Sequence, residues 1–113
     1  MGVTITGAFD DSSASMIGGL TLTNNNEDEL LKHEKSIDWN VLIWTPEEKS
    51  YSAEADVDRC SFVSGVADII VEMVKDGRYL EAMTVNGLAF CAALEYSVDP
   101  ILEALPMVNG VSL

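Results

Sequence analysis

Asp10 and Asp11 are the residues of this chain whose type and setting best suit chemistry. They follow Thr6-Gly7-Ala8-Phe9 and precede Ser12-Ser13-Ala14-Ser15, so the pair falls where a glycine turn leads into a short helix. Free N–H groups at a helix N-terminus favour an ionised carboxylate, which can act as general base on a substrate hydroxyl. The bland alternative is N-capping by either aspartate, and local chemistry alone favours it. Other candidates are thinner. His33, the sole histidine, lies in the polar stretch Leu31-Lys32-His33-Glu34 and reads as a solvated helix residue. Cys60 and Cys91 lie far apart and match no metal spacing, so they read as reduced core thiols and no metal site is expected. The sequence holds no G-x-x-x-x-G-K-S/T phosphate loop and no dinucleotide fingerprint.

The elements that must position these residues follow from patterning. Val3-Thr4-Ile5-Thr6-Gly7 alternates like a short strand. Asp10 to Ser13 supply caps for a helix through Ala14, Met16 and Ile17 that Gly18-Gly19 stop. Leu20-Thr21-Leu22-Thr23 reads as a strand ending at Asn24-Asn25-Asn26. Glu27 to Ser36 reads as a polar surface helix, and Trp39 to Trp44 as the clearest strand, terminated by Thr45-Pro46. Two amphipathic helices follow, at about Ser61–Lys75 and Arg78–Glu95. Phe62, Val66, Ile69, Ile70 and Met73 mark the apolar face of the first. Leu80, Met83, Gly87, Leu88, Cys91 and Leu94 mark that of the second. A glycine inside a helix costs about 1 kcal/mol relative to alanine, so Gly87 points to close packing or a ligand. Pro100 then opens a third helix. Strands followed mainly by helices give an α+β class, with a small, mostly antiparallel sheet packed by amphipathic helices.

Composition narrows the function. The 113 residues fit a single domain spanning 1–113. Nineteen Asp plus Glu against 6 Lys plus Arg leave a net charge of −13, which opposes binding to nucleic acid or to an anionic membrane. With 48% hydrophobic residues the chain is expected to fold, carrying its charge outside. Met1 to Phe9 has neither a basic segment nor a long apolar run, so a cytoplasmic protein is expected.

Motifs taken together point to a family. Thr6-Gly7-Ala8-Phe9-Asp10-Asp11, followed by Ser15 and Gly18-Gly19, resembles the archaeal-type shikimate kinases of the GHMP kinase superfamily. Gly77 to Leu88 resembles that family's G-x-Y-x-E-A-M-x-x-N-G-L helix, and Asp38 to Leu42 with Pro46 fall where it places a strand and its exit. The resemblance runs from about Val3 to Ser112 and implies a fold like the GHMP C-terminal domain.

The activity implied is transfer of the ATP γ-phosphate, with Mg²⁺, to the shikimate 3-hydroxyl in aromatic amino-acid biosynthesis. It further implies Asp11 as the catalytic carboxylate with Asp10 as second choice, and Thr6, Gly7 and Asn86 as substrate-binding. The family's N-terminal phosphate-binding domain has no counterpart in the sequence. Near the C-terminus, Gly110-Val111-Ser112 stands where the family begins a G-L-S-G-T-G-P loop, and Leu113 replaces the next glycine. The implied protein is therefore the C-terminal part of a truncated or split kinase, inactive alone, completed by a GHMP N-terminal domain or by self-association. An exposed apolar patch is expected where that domain would sit. The alternative is a non-catalytic binding or oligomerisation module of the same descent. Glu95 stands where a glycine is expected after the second amphipathic helix.

Overall fold

Asp10, Asp11 and Ser12 lie in the opening turn of helix α1 (Phe9–Ile17), and Gly18 and Gly19 end it with φ of 67° and 73°. The computed structural model describes residues 9–47 and 57–112. The expected first strand, Val3 to Gly7, lies outside the described residues. The chain divides into two compact units, Met1–Ala55 and Asp56–Leu113.

In the first unit, α1 leads into an antiparallel hairpin of β1 (Leu20–Asn24) and β2 (Glu29–Glu34). The register pairs Leu20 with Glu34, Leu22 with Lys32 and Thr23 with Leu30, so Leu31 forms a bulge. The helix expected over Glu27 to Ser36 is therefore corrected to a turn and a strand. The turn decides it: Asn26 N–H donates to Asn24 Oδ1 at 3.2 Å, and Asp28 adopts φ 50°. That chain reversal returns Leu30 to Glu34 alongside β1, whose β-branched threonines suit a pleated neighbour.

The strand expected over Trp39 to Trp44 is also corrected, since these residues belong to no helix or strand. Val41, Leu42, Ile43 and Trp44 are 66–89% exposed. Four consecutive apolar residues signal a strand that is buried when paired, and among the described residues nothing pairs with them.

The second unit is helical: α2 (Val57–Ser61), α3 (Ser64–Lys75), α4 (Tyr79–Leu94) and α5 (Asp99–Ala104), then a 3-10 turn at Leu105–Met107. Helices α3 and α4 pack as a hairpin about Gly77, at φ 79°. Arg78 N–H donates to Met73 O at 2.9 Å and Gly77 N–H to Val74 O at 3.0 Å, a Schellman closure. Ile70 and Val74 of α3 and Ala82, Gly87, Cys91 and Ala93 of α4 are buried. Phe62 and Ile69, expected on the inward face, are 80% and 60% exposed; Phe62 falls in the turn between α2 and α3. Burial pushes the Cys91 thiol above its ordinary pKa, as expected of a core cysteine.

Glu95 carries the left-handed turn after α4 at φ 59°, the conformation that a glycine fills without steric cost. Arg59 serves the same helix end. Its Nε donates to Ala93 O at 2.9 Å, its Nη2 to Ala92 O at 3.2 Å, and its Nη1 lies 3.3 Å from Glu95 Oε1. These bonds satisfy carbonyls that the helix leaves without partners. Arg59→Lys, keeping charge but losing the planar fork, is expected to destabilise the helical unit by about 1–2 kcal/mol in urea titrations. No loss of midpoint would mean that the fork contributes nothing.

Candidate functional site

The first unit holds α1 at both ends with its own hairpin. Nine helical residues rise about 13 Å and five strand residues return about 16 Å, so the β1–β2 turn comes back beside the start of the helix. There Asp10 N–H donates to Asn25 Oδ1 at 3.2 Å. Thr23 Oγ1 donates to the same oxygen at 3.1 Å, and Ser13 Oγ donates to Asp10 O at 3.0 Å. At the other end, His33 Nε2 lies 2.9 Å from Gly18 O. His33 is half-buried on a strand, which corrects its reading as a solvated helix residue.

Asp10 and Asp11 both lie in the first turn of α1 and are exposed. Among the described residues, no hydrogen bond or ion pair engages either carboxylate. A ligand can therefore reach both. Capping by the aspartates themselves is not what the geometry uses, since an asparagine from the hairpin accepts the Asp10 N–H. Thr6 and Gly7 lie outside the described residues.

Asn86 belongs to the second unit. It is half-buried in the middle of α4, and its side-chain amide makes no hydrogen bond among the described residues. Nearby on the same helix, Thr84 Oγ1 donates to Leu80 O at 3.0 Å and accepts Val111 N–H at 3.2 Å. A Cβ on Gly110 would lie 2.9 Å from Leu80 Cβ and Leu80 O, so only glycine lets this segment approach α4 so closely. Gly110-Val111-Ser112 is thus tied to the first turns of the helix that carries Asn86. Sequence reading singled out Asn86 and Gly110 and did not single out the side-chain bonds of Thr84 and Asn25.

Among the described residues, no group of three or more His, Cys, Asp or Glu is placed to hold a metal ion. Mg²⁺ in phosphoryl transfer takes one or two carboxylates together with substrate phosphates. No described helix is long and apolar enough to cross a membrane.

Comparison with known proteins gives one consistent answer. The chain is 54% identical over 112 residues to a shikimate kinase of Halobacterium salinarum, covering 99% of this chain and 39% of that protein. It is 48% identical over 104 residues to a shikimate kinase of Methanothrix thermoacetophila, covering 92% of this chain and 36% of that one. A shikimate kinase of Methanocella arvoryzae is 42% identical over 114 residues, covering 100% of this chain and 39% of that protein. The chain thus spans about two fifths of the length of the curated relatives it matches. No family model matches the chain, and no solved structure matches it.

Proposed function

We propose that this chain, a homologue of the archaeal shikimate kinases over about two fifths of their length, acts as one part of such an enzyme. In this reading it is a single GHMP-type C-terminal domain in a cytoplasmic biosynthetic kinase that uses shikimate, ATP and Mg²⁺. The observation that supports it is the exposed Asp10-Asp11 pair, whose carboxylates no other described residue engages, on a helix fixed at both ends.

The shikimate 3-hydroxyl oxygen attacks the γ-phosphorus, ADP leaves, and the hydroxyl proton passes to the Asp11 carboxylate. Asp10 stands beside it and adds to the local negative charge. Mg²⁺ offsets the phosphate charge when bound. The family resemblance assigns shikimate binding to Thr6, Gly7 and Asn86. Phosphoryl transfer depends mainly on positioning and charge neutralisation, so the carboxylate contributes one part of the catalysis.

The remaining length of the relatives supplies the phosphate-binding loop, and this chain alone is expected to show no shikimate-dependent ATP turnover. A chimera carrying this chain in place of the matching stretch of the Halobacterium salinarum kinase is expected to turn over. ADP release, measured with and without shikimate, decides both. Turnover by the 113-residue chain, or a folded chimera with none, would overturn the reading.

The exposed run Val41 to Trp44 favours a second reading, in which the chain is a non-catalytic binding or oligomerisation module. An inactive chimera together with self-association of the chain would support that reading instead.

A further inference from the structure

We infer that Asn25 is a positioning residue for the Asp10-Asp11 pair, and for its catalytic consequence this rests on the kinase reading above. Asn25 lies 15 residues along the chain from Asp10, in the turn between β1 and β2. Its Oδ1 accepts two hydrogen bonds, from Asp10 N–H at 3.2 Å and from Thr23 Oγ1 at 3.1 Å. A backbone N–H can only donate, so the atom facing Asp10 must be the amide oxygen, and the threonine hydroxyl holds it in that orientation.

The turn that presents Asn25 is itself braced. Asn24 Nδ2 donates to Glu27 Oε2 at 3.1 Å, and Asn24 Oδ1 accepts Asn26 N–H at 3.2 Å. Both flanks continue into the β1–β2 ladder. The first turn of α1 is therefore tied to a hairpin rather than left to fray, as the first turn of a short helix otherwise does. Fixing the Asp10 peptide fixes the Cα–Cβ directions of Asp10 and Asp11 together. Alignment of a general base within hydrogen-bond reach of its proton is what such a tie protects.

The test has two arms. In the 113-residue chain, amide hydrogen exchange at Asp10 is expected to be about tenfold faster in Asn25→Ala than in the parent, and near the parent rate in Asn25→Asp, which keeps the acceptor oxygen. In the chimeric kinase, Asn25→Ala is expected to lower kcat about tenfold, leave KM for ATP within about twofold, and regain most of kcat as Asn25→Asp. A general loss of structure would raise KM and speed exchange along β1 and β2 as well. Unchanged exchange at Asp10 in Asn25→Ala overturns the contact. An unchanged kcat, or an equal loss in both variants, overturns the positioning role. If the parent chimera shows no turnover the kinase reading fails, and the exchange arm still decides by itself whether Asn25 fixes the pair.

Discussion

Asp11→Asn in the chimeric kinase is expected to lower shikimate-dependent turnover about 10²–10⁴-fold, the usual contribution of a general base. The change removes the proton acceptor and little else. No hydrogen bond among the described residues uses the Asp11 carboxylate, and the residue is exposed, so folding should survive. Loss of a negative charge from the first turn of α1 costs only about 0.3–1 kcal/mol. Asp10→Asn is expected to cost less turnover, because the resemblance to the archaeal-type shikimate kinases implies Asp11 as the catalytic carboxylate and Asp10 only as second choice. The two substitutions lie in the same turn and leave every backbone hydrogen bond of that turn in place, so the comparison isolates the chemistry. Full turnover in Asp11→Asn, or loss confined to Asp10→Asn, would move the role or remove it.

What the sequence made legible is what local rules control. Helix α1 and its stop were readable because Asp10 to Ser13 favour a helix start and Gly18-Gly19 accept positive φ, as they do at 67° and 73°. Helix α3 was readable from apolar periodicity closed by Asp76-Gly77, and the extent of α4 was readable too, although α4 buries Ala82 and Ala93, which the expected apolar stripe did not include. Glu95, standing at a glycine position, does adopt a left-handed backbone. Scattered motifs carried the likeness to archaeal shikimate kinases, and the 54% identity bears it out.

Long-range partnerships were not readable. Asn25 reaches α1 across 15 residues and Thr84 reaches Val111 across 27, and neither side chain announces its partner. β2 was misread for a different reason. Leu30-Leu31-Lys32-His33-Glu34 does not alternate cleanly, because the bulge at Leu31 breaks the two-residue period. Trp39 to Trp44 failed in the opposite sense, since its strand pattern is strong but a strand also needs a neighbour.

The Gly18-Gly19 step offers the sharpest stability contrast in the first unit. Both residues have positive φ, so alanine at either one is expected to carry the left-handed penalty of about 1–2 kcal/mol. At Gly18 that is all, because an added Cβ would have nothing within 4 Å. At Gly19 the Cβ would run into the backbone carbonyl of Glu34, and a backbone atom locked in the β1–β2 ladder cannot turn aside. Gly19→Ala is therefore expected to destabilise the unit by about 3 kcal/mol or more, enough to part α1 from the hairpin. Urea titration followed by tryptophan fluorescence measures this, since Trp39 and Trp44 are the two tryptophans of the chain and both lie in the first unit. Equal losses at the two positions would mean that Glu34 gives way and that α1 is not held there. A larger loss at Gly19 would show that contact with β2, more than φ, fixes the end of the helix that carries the carboxylates. In the chimeric kinase Gly19→Ala should then lower kcat far more than Gly18→Ala.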